Sequence, residues 1–245
     1  TAVQGSDWLA PLDEARRNGL RAICLRAGAL GMRVALVGGF VRDRLLGLAP
    51  DDFDLIVEGD ATTLSRDLEA SLGGALRVHR PFGTATWQAS DGHTFDLASA
   101  RRETYAAPAA LPTVTTGSSL LEDLARRDFS INAMALPLTT EGVDGLLDPF
   151  DGRQDLATGT VRVLHPLSFV DDPTRLFRAA RYVARYDFKL DPTTSALIGS
   201  GIGHLRDLSG DRIRHELALM AAEPAAATAM ALLAEQTVLP GVHPA

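Results

Sequence analysis

The sequence predicts a mixed α/β domain with a small sheet, followed by an all-helical domain. Short apolar runs of strand length alternate with helical segments up to about residue 160. From Asp171 onward the apolar residues recur at helical spacing, which indicates helices packed on one another. We therefore predict one domain over residues 1–160 and a second over residues 161–245.

The first domain is predicted to begin with a helix over residues 12–30 that ends at Gly31. A buried strand, Val34–Val37, then leads into two glycines and a short helix that ends at Leu46. The further predicted elements are a strand over 53–57, a helix over 61–72 and strands over 75–79, 84–88 and 94–97. Residues 101–119 have little periodicity, so we expect a long loop there, and loops of that length are usually functional or mobile.

In the second domain, one set of charged residues recurs at steps of three and four, which places its members on one side of a helix. The set consists of Asp172, Arg175, Arg178, Arg181 and Arg185. An ion-paired surface helix is one interpretation. The stripe contains arginine but no lysine, which favours a functional surface because the planar guanidinium suits phosphates and base edges. Further helices are expected over 195–198, 212–221 and 225–233.

Composition excludes several classes of protein. The 245 residues have a net charge of −7, which argues against a protein that coats nucleic acid non-specifically. A single cysteine, Cys24, indicates a reducing cytoplasm, and one cysteine with six scattered histidines shows no zinc-ligand spacing. Neither a membrane-spanning run nor a signal peptide is expected, and no protein partner is indicated.

The most informative segment joins two glycines to two acids. Gly38 and Gly39 follow a buried strand and open a helix that has Arg42 in its first turn. Glycines at that position let backbone N–H groups approach a phosphate. Asp52 and Asp54 are two residues apart at the start of the next strand, so both side chains point to one side and can share a metal. This combination predicts a site for a metal–triphosphate.

Other familiar phosphate-binding patterns are excluded. The sequence has no G-x-x-x-x-G-K-S/T loop, and its paired glycines do not have the G-x-G-x-x-G spacing. A dense run of charges over residues 122–132 is flanked by apolar sequence, which favours the lining of a cleft over a solvated face. Asp96 is a candidate third carboxylate, and an acid that caps the turn after its strand is an equal alternative.

Four motifs together resemble one family. The glycine–acid segment, the run Arg126-Arg127-Asp128 that continues to Asn132, the turn Asp148–Gly152, and the run Asp171–Arg175 are similar, in this order, to motifs of class II tRNA nucleotidyltransferases. That family contains the CCA-adding enzymes and the bacterial poly(A) polymerases. The last motif opens with Asp171 where the family usually has Glu, a change of one methylene that keeps the acid.

The resemblance implies a polymerase β-like nucleotidyltransferase head followed by a helical neck. It also implies transfer of nucleotides from ATP, and from CTP in some members, to the 3′ end of tRNA with release of pyrophosphate. Two Mg²⁺ ions would be held by Asp52 and Asp54, the catalytic acids, with Asp96 as the possible third. Gly38, Gly39 and Arg42 would grip the triphosphate.

The neck residues would recognise the nucleotide without a template. By position in the motif, Asp172 and Arg175 would present hydrogen bonds to the Watson–Crick edge of the base, which would accept adenine and cytosine. Arg127, Arg178 and Arg181 would hold phosphate or base, and Asn132 would hold the ribose or the local fold. Residues 101–119 resemble the flexible loop that the family links to addition of the terminal A, which disfavours a CC-only enzyme.

Alternatives stay open at this point. The family usually has further helical body and tail domains that hold the tRNA, and we expect them to be absent from this chain, which stops after what would be the head and neck. Either the chain is a fragment or its tRNA binding is curtailed. The leading interpretation is a CCA- or A-adding enzyme, and a poly(A) polymerase shares the same motifs. A non-catalytic nucleotide- or RNA-binding module is the alternative from another class, and the presence of both acids of the Asp-x-Asp pair argues against it.

Overall fold

The computed structural model describes residues 8–50, 53–79 and 83–242. The chain forms two compact units, and it passes between them more than once. The first unit comprises the described residues up to Arg102, then Val114–Arg127 and Asn132–Arg153. The second comprises Glu103–Thr113, Asp128–Ile131 and the described residues from Gln154 onward. The predicted boundary at residue 160 stays a prediction.

Helices and short strands alternate in the first part of the chain. They are α1 Glu14–Ala29, β1 Arg33–Val37, α2 Gly39–Leu45, β2 Asp54–Glu58, α3 Ala61–Leu72, β3 Ala75–His79, β4 Thr84–Gln88, β5 Thr94–Ser99, β6 Arg101–Thr104, β7 Thr113–Thr116, α4 Leu120–Ala125, β8 Ala135–Thr139, β9 Gly142–Val143 and α5 Gly152–Thr158. The loop predicted over 101–119 is therefore wrong in part, because β6 covers residues 101–104 and β7 covers residues 113–116. Thr113–Thr116 is a run of β-branched residues, which favour an extended backbone.

The main sheet of the first unit has seven strands among the described residues, in the order β3-β4-β5-β2-β1-β8-β9. Its pairings are antiparallel except for one, the parallel pairing of β2 with β5. A parallel pair needs a crossover, and α3 with β3 and β4 lies between these two strands in the chain. The register sets Asp54 opposite Asp96.

Helices cover this sheet and bury its apolar residues. On α1 the side chains of Leu20 and Ile23 are buried, and on α3 those of Leu64 and Leu68 are buried. Each such leucine or isoleucine contributes about 1.5–3 kcal/mol through removal of apolar surface from water. A separate apolar cluster joins β1, β2 and β8 to Leu120 and Leu124 of α4. This packing fixes the position of α4, which carries Asp123 and leads directly into Arg126 and Arg127.

The second unit is helical, with one two-stranded pairing of β10 with β11. Its elements are β10 Thr160–Val161, α6 Ser168–Asp171, α7 Thr174–Tyr186, β11 Lys189–Leu190, α8 Pro192–Ala196, α9 Ile198–Ile202, α10 Gly210–Ala221, α11 Ala226–Glu235 and α12 Val238–Val242. Together with the first unit, this confirms the predicted fold class of a mixed α/β head with a small sheet followed by helices. Among the described residues, no helix is both long and apolar enough to cross a membrane.

Helix α7 differs from the ion-paired surface helix that was one interpretation of its charges. Arg175, Phe177, Arg181 and Tyr182 are all buried, so much of the helix lies inside the unit, whereas Arg185 at its end is exposed. The helical pattern from Asp171 is also interrupted at Pro173. Because the ring of a proline disfavours helical geometry in the preceding residue, Asp172 is extended, with φ −138° and ψ 92°. The break separates α6 from α7.

Two glycines of α9 give a matched test of this packing. A Cβ at Gly201 would lie 2.6 Å from the Cβ of Phe169, whereas a Cβ at Gly199 would meet no atom within 4 Å. We expect Gly201→Ala to lower the free energy of unfolding by about 1–3 kcal/mol through overpacking. Gly199→Ala should raise it by up to about 1 kcal/mol through helix propensity. Urea unfolding measures both, and equal effects of the two substitutions would contradict the packing of α9 on Phe169.

Candidate functional site

Two carboxylates lie side by side in the first unit. Asp54 opens β2 and is the register partner of Asp96 on the parallel strand β5, and both residues are exposed. Asp96 lies inside its strand, so the alternative that it caps the following turn is wrong. Its Oδ1 accepts a hydrogen bond of 2.5 Å from Oγ1 of Thr86 on β4. The second acid of the predicted pair, Asp52, lies outside the described residues.

An open cleft surrounds these acids. It is lined by Asp54, Thr86, Asp96, Arg101, Arg126 and Arg127, among others. Oxygen ligands on neighbouring strands are the donors that Mg²⁺ prefers, so this donor set fits a hard divalent cation. Within the described ranges no group of three metal-ligating side chains is found. The arginines supply positive charge beside the acids, and such a mixture suits a metal–phosphate better than a metal alone.

A buried acid holds two of these arginines. Asp123 is 0% exposed; its Oδ1 accepts hydrogen bonds from Arg126, at 2.7 and 3.0 Å, and its Oδ2 accepts one from NH2 of Arg127 at 3.0 Å. The sequence interpretation missed Asp123. Its signal was present, because an acid three and four residues before two arginines faces both of them on a helix. Ser119 caps the same helix in a capping box with Glu122, another signature that the sequence contained.

The first glycine makes room for Arg127. Gly38 has φ 63° and ψ −120°, and a Cβ there would lie 2.9 Å from NH1 of Arg127. Its own N–H donates to the carbonyl of Met134 at 3.3 Å, so this N–H is already engaged. The buried Nε of Arg127 has no hydrogen-bond partner in the described part of the chain. An orphaned guanidinium nitrogen beside a glycine turn is consistent with an anion site.

Neighbouring side chains hold the guanidinium of Arg42. It is 6% exposed, and its guanidinium donates to both carboxylate oxygens of Asp43, at 2.8 and 3.1 Å, and to Oδ1 of Asn132 at 2.7 Å. The backbone carbonyl of Asn132 accepts from NH1 of Arg127 at 3.3 Å. Arg42 and Asn132 thus form the support beneath Arg127, and the predicted direct grip of Arg42 on a triphosphate stays a prediction.

In the second unit, Asp172 and Arg175 lie on either side of the start of α7. Oδ1 of Asp172 accepts from the backbone N and from Oγ1 of Thr174, at 3.0 and 2.6 Å. Arg175 is buried and donates to Oγ of Ser168 at 2.6 Å. The charges of Asp172 and Arg175 both act on the hydroxyl of Tyr105. Burial, as the main cause, raises the pKa of its hydroxyl to about 12, so it stays protonated near neutral pH.

The remaining arginines of α7 are engaged by acids. Nε of Arg178 donates to Asp128 at 2.8 Å, and this carboxylate raises the pKa of the guanidinium above its usual range. Arg181, 8% exposed, has nitrogens 3.6 Å from Glu216 and 3.6 Å from Glu223. Burial raises the pKa of Glu216. The sequence interpretation did not predict these three acids as partners of the α7 arginines, because each lies far along the chain from its arginine. The prediction that Arg178 and Arg181 hold phosphate or base stays a prediction.

Comparison with known proteins adds a family and two curated relatives. The family profile described as "Poly A polymerase head domain" matches residues 34–162. An A-adding tRNA nucleotidyltransferase of Halalkalibacterium halodurans is 46% identical over 201 residues, 80% of this chain and 47% of that protein. A CC-adding tRNA nucleotidyltransferase of Deinococcus radiodurans is 38% identical over 241 residues, 97% of this chain and 63% of that protein.

A solved structure agrees with the fold. It is described as the complex structure of CCA-adding enzyme with ATP, and it superposes with a TM-score of 0.85 at 36% identity. The match covers 98% of this chain and 55% of that one. This chain therefore spans about half to two thirds of the length of the proteins that it resembles.

Gly38 gives a direct test of the glycine turn. We expect Gly38→Ala to cost about 1–3 kcal/mol of stability, because an L residue is strained at that positive φ. It should also weaken the binding of ATP, because the new Cβ displaces Arg127. The matched control is Gly47→Ala: Gly47 also has a positive φ, 73°, but a Cβ there meets no atom within 4 Å. Both variants should lose stability, and only Gly38→Ala should raise the Kd for ATP. Unchanged ATP affinity in a folded Gly38→Ala protein would count against an anion site at Arg127.

Proposed function

Because this chain belongs to the family of the poly A polymerase head domain, we propose that it transfers a nucleotide from a nucleoside triphosphate to the 3′ end of tRNA. The 3′-hydroxyl oxygen attacks the α-phosphorus, a new phosphodiester bond forms, and pyrophosphate leaves. The observation that supports this best is the pair Asp54 and Asp96 on parallel strands, in one cleft with Arg126 and Arg127. Because the chain spans only part of its relatives' length, we propose its activity, its nucleotide substrates and its tRNA partner together.

Mg²⁺ is the ion that this donor set fits best. Asp52 and Asp54 would hold two ions, with Asp96 as the third acid. When bound, the ions would lower the pKa of the attacking hydroxyl and neutralise charge on the leaving pyrophosphate. Thr86 holds one oxygen of Asp96, which fixes the direction in which its carboxylate points. The side chains would therefore be in place before the substrate arrives, so little reorganisation is needed during the reaction.

The triphosphate would be bound on the arginine side of the cleft. Arg127 is the best-placed ligand, since its Nε has no hydrogen-bond partner in the described part of the chain and Gly38 leaves room for its guanidinium at the glycine turn. Asp123 holds Arg126 and Arg127 in one orientation, which lowers the entropy lost when phosphate binds. Gly38, Gly39, Arg42 and Asn132 would contribute mainly by shaping the turn.

The second unit would select the base. In the proposal Asp172 accepts a hydrogen bond from an exocyclic amine, and Arg175 donates to a ring nitrogen, a combination that suits adenine and cytosine. Arg178 and Arg181 would support this region from within α7. We propose A as the nucleotide added, in line with the A-adding relative, and C, C then A as the alternative. A cytoplasmic location is part of the proposal, in keeping with the single cysteine.

The test uses the purified chain, Mg²⁺ and three tRNA transcripts that end before the CCA tail, after CC and after CCA. Each nucleotide is supplied singly and then together, and products are resolved on a gel. We expect one A on the CC end only. C, C then A on the bare end would indicate a CCA-adding enzyme, and an untemplated ladder of A on any RNA would indicate a poly(A) polymerase.

Asp54→Asn tests the acids in the same assay. We expect at least about a 100-fold loss of activity, because a catalytic metal supplies several kcal/mol of charge stabilisation. Asp144→Asn removes an exposed carboxylate outside the cleft and should have no effect. Full activity of Asp54→Asn, or activity in excess EDTA, would contradict the proposal. If neither the chain nor a longer form adds a nucleotide, the non-catalytic module is supported instead.

A further inference from the structure

The two oxygens of the Asp172 carboxylate have different surroundings. Oδ1 accepts three hydrogen bonds: from the backbone N of Thr174, from Oγ1 of Thr174, and from NH2 of Arg212 at 2.7 Å. No donor to Oδ2 is found in the described part of the chain. The side chain is 22% exposed, so the carboxylate is partly open to solvent. One oxygen is therefore held by the protein, and the other is left to accept from a ligand.

Arg212 is fixed at both ends of its guanidinium. NH2 donates to Asp172, and NH1 donates to the carbonyl of Ala109 at 2.9 Å. Ala109 is buried, and its backbone is in the left-handed region with φ 57°. Its own N–H donates to the carbonyl of Val170 at 3.0 Å. The carbonyl of Ala109 thus has a fixed position, and it holds the arginine in one orientation. Arg212 itself lies in the first turn of α10, which Ser209 caps.

Both bonds require the planar fork of an arginine. A lysine has the charge but presents it at a single point, so it is unable to reach Asp172 and Ala109 in the same way. The charge-assisted bond to Oδ1 fixes the rotamer of Asp172, and therefore the direction in which Oδ2 faces. Without that bond the carboxylate turns more freely, and it can orient toward donors of other bases.

We propose that Arg212 is a positioning residue for nucleotide selection, acting through Asp172. It holds Oδ1 so that Oδ2 is presented to the exocyclic amine of the incoming base. This inference rests on the proposed function, in which Asp172 contacts the base. It predicts that nucleotide selectivity depends on a residue that does not itself contact the nucleotide.

The experiment compares Arg212→Lys with Arg214→Lys, a matched control two residues along the same helix. Arg214 is exposed and pairs only with Asp211 in the described part of the chain. Selectivity is measured as the ratio of kcat/KM for ATP to that for UTP with a CC-ended tRNA, and as the ratio of the Kd for UTP to the Kd for ATP. We expect Arg212→Lys to lower both ratios by about tenfold, the size expected for one charge-assisted hydrogen bond. Arg214→Lys should leave them unchanged.

A double variant separates positioning from a purely structural role. If Arg212 acts through Asp172, adding Arg212→Lys to Asp172→Asn should change selectivity no further. If it only supports the Ala109 segment, the substitution should lower the rates with ATP and UTP alike, in both backgrounds. Unchanged ATP/UTP ratios in Arg212→Lys, or equal effects in the two backgrounds, overturn the inference.

A second variant keeps the test decisive if Arg212→Lys does not fold, as judged by its circular dichroism melting curve. Thr174→Val removes another donor to the same Oδ1, with Thr174→Ser as the control that keeps the hydroxyl, and it should lower selectivity in the same direction. Failure of the proposed function has its own signature. If Asp172→Asn leaves the ratios unchanged, base recognition by Asp172 is wrong. If Asp172→Asn lowers the ratios but Arg212→Lys and Thr174→Val do not, only the role of Oδ1 positioning is wrong.

Discussion

The parallel pairing of β2 with β5 is the constraint on which the chemistry of the first unit depends. It brings Asp54 and Asp96, which are 42 positions apart in the sequence, into register on neighbouring strands. Two carboxylates in that arrangement repel each other, and nearby positive charge relieves the repulsion. The cleft supplies such charge from Arg126 and Arg127, and a divalent cation would supply more. The fold therefore places two carboxylates where they favour the binding of a cation, in the cleft where we expect the metal–triphosphate.

Several arginines of the two units are oriented by acids. Asp43 orients Arg42, Asp123 orients Arg126 and Arg127, and Asp128 orients Arg178. In the pair of Arg212 with Asp172 the relation is reversed, since the arginine orients the acid. Burying such pairs costs desolvation, so their value lies in fixed geometry more than in stability. Fixed geometry is what recognition of phosphates and base edges requires.

The sequence predicted the parts of this arrangement that local pattern determines. The strand–glycine–helix unit at Gly38, the strand that starts near Asp54, and the collinear motifs were all visible as short-range signals. The acids that pair with the α7 arginines were not visible in this way. The pairing of Arg181 with Glu216, for example, depends on how helices α7 and α10 pack, and residue spacing in the sequence does not predict helix packing. The helix break at Asp172 was also missed, although Pro173 was its signal. The strands at either end of residues 101–119 were missed because their polar residues lack a clear period.

The measurement that tests the central claim most directly is a crystal structure of the chain with Mn²⁺ and a non-hydrolysable ATP analogue, in which anomalous scattering locates the metal. We expect Mn²⁺ to bind the Asp54 carboxylate, with the triphosphate against Arg127. A nucleotide bound away from this cleft, or a metal site that does not include Asp54, would contradict it.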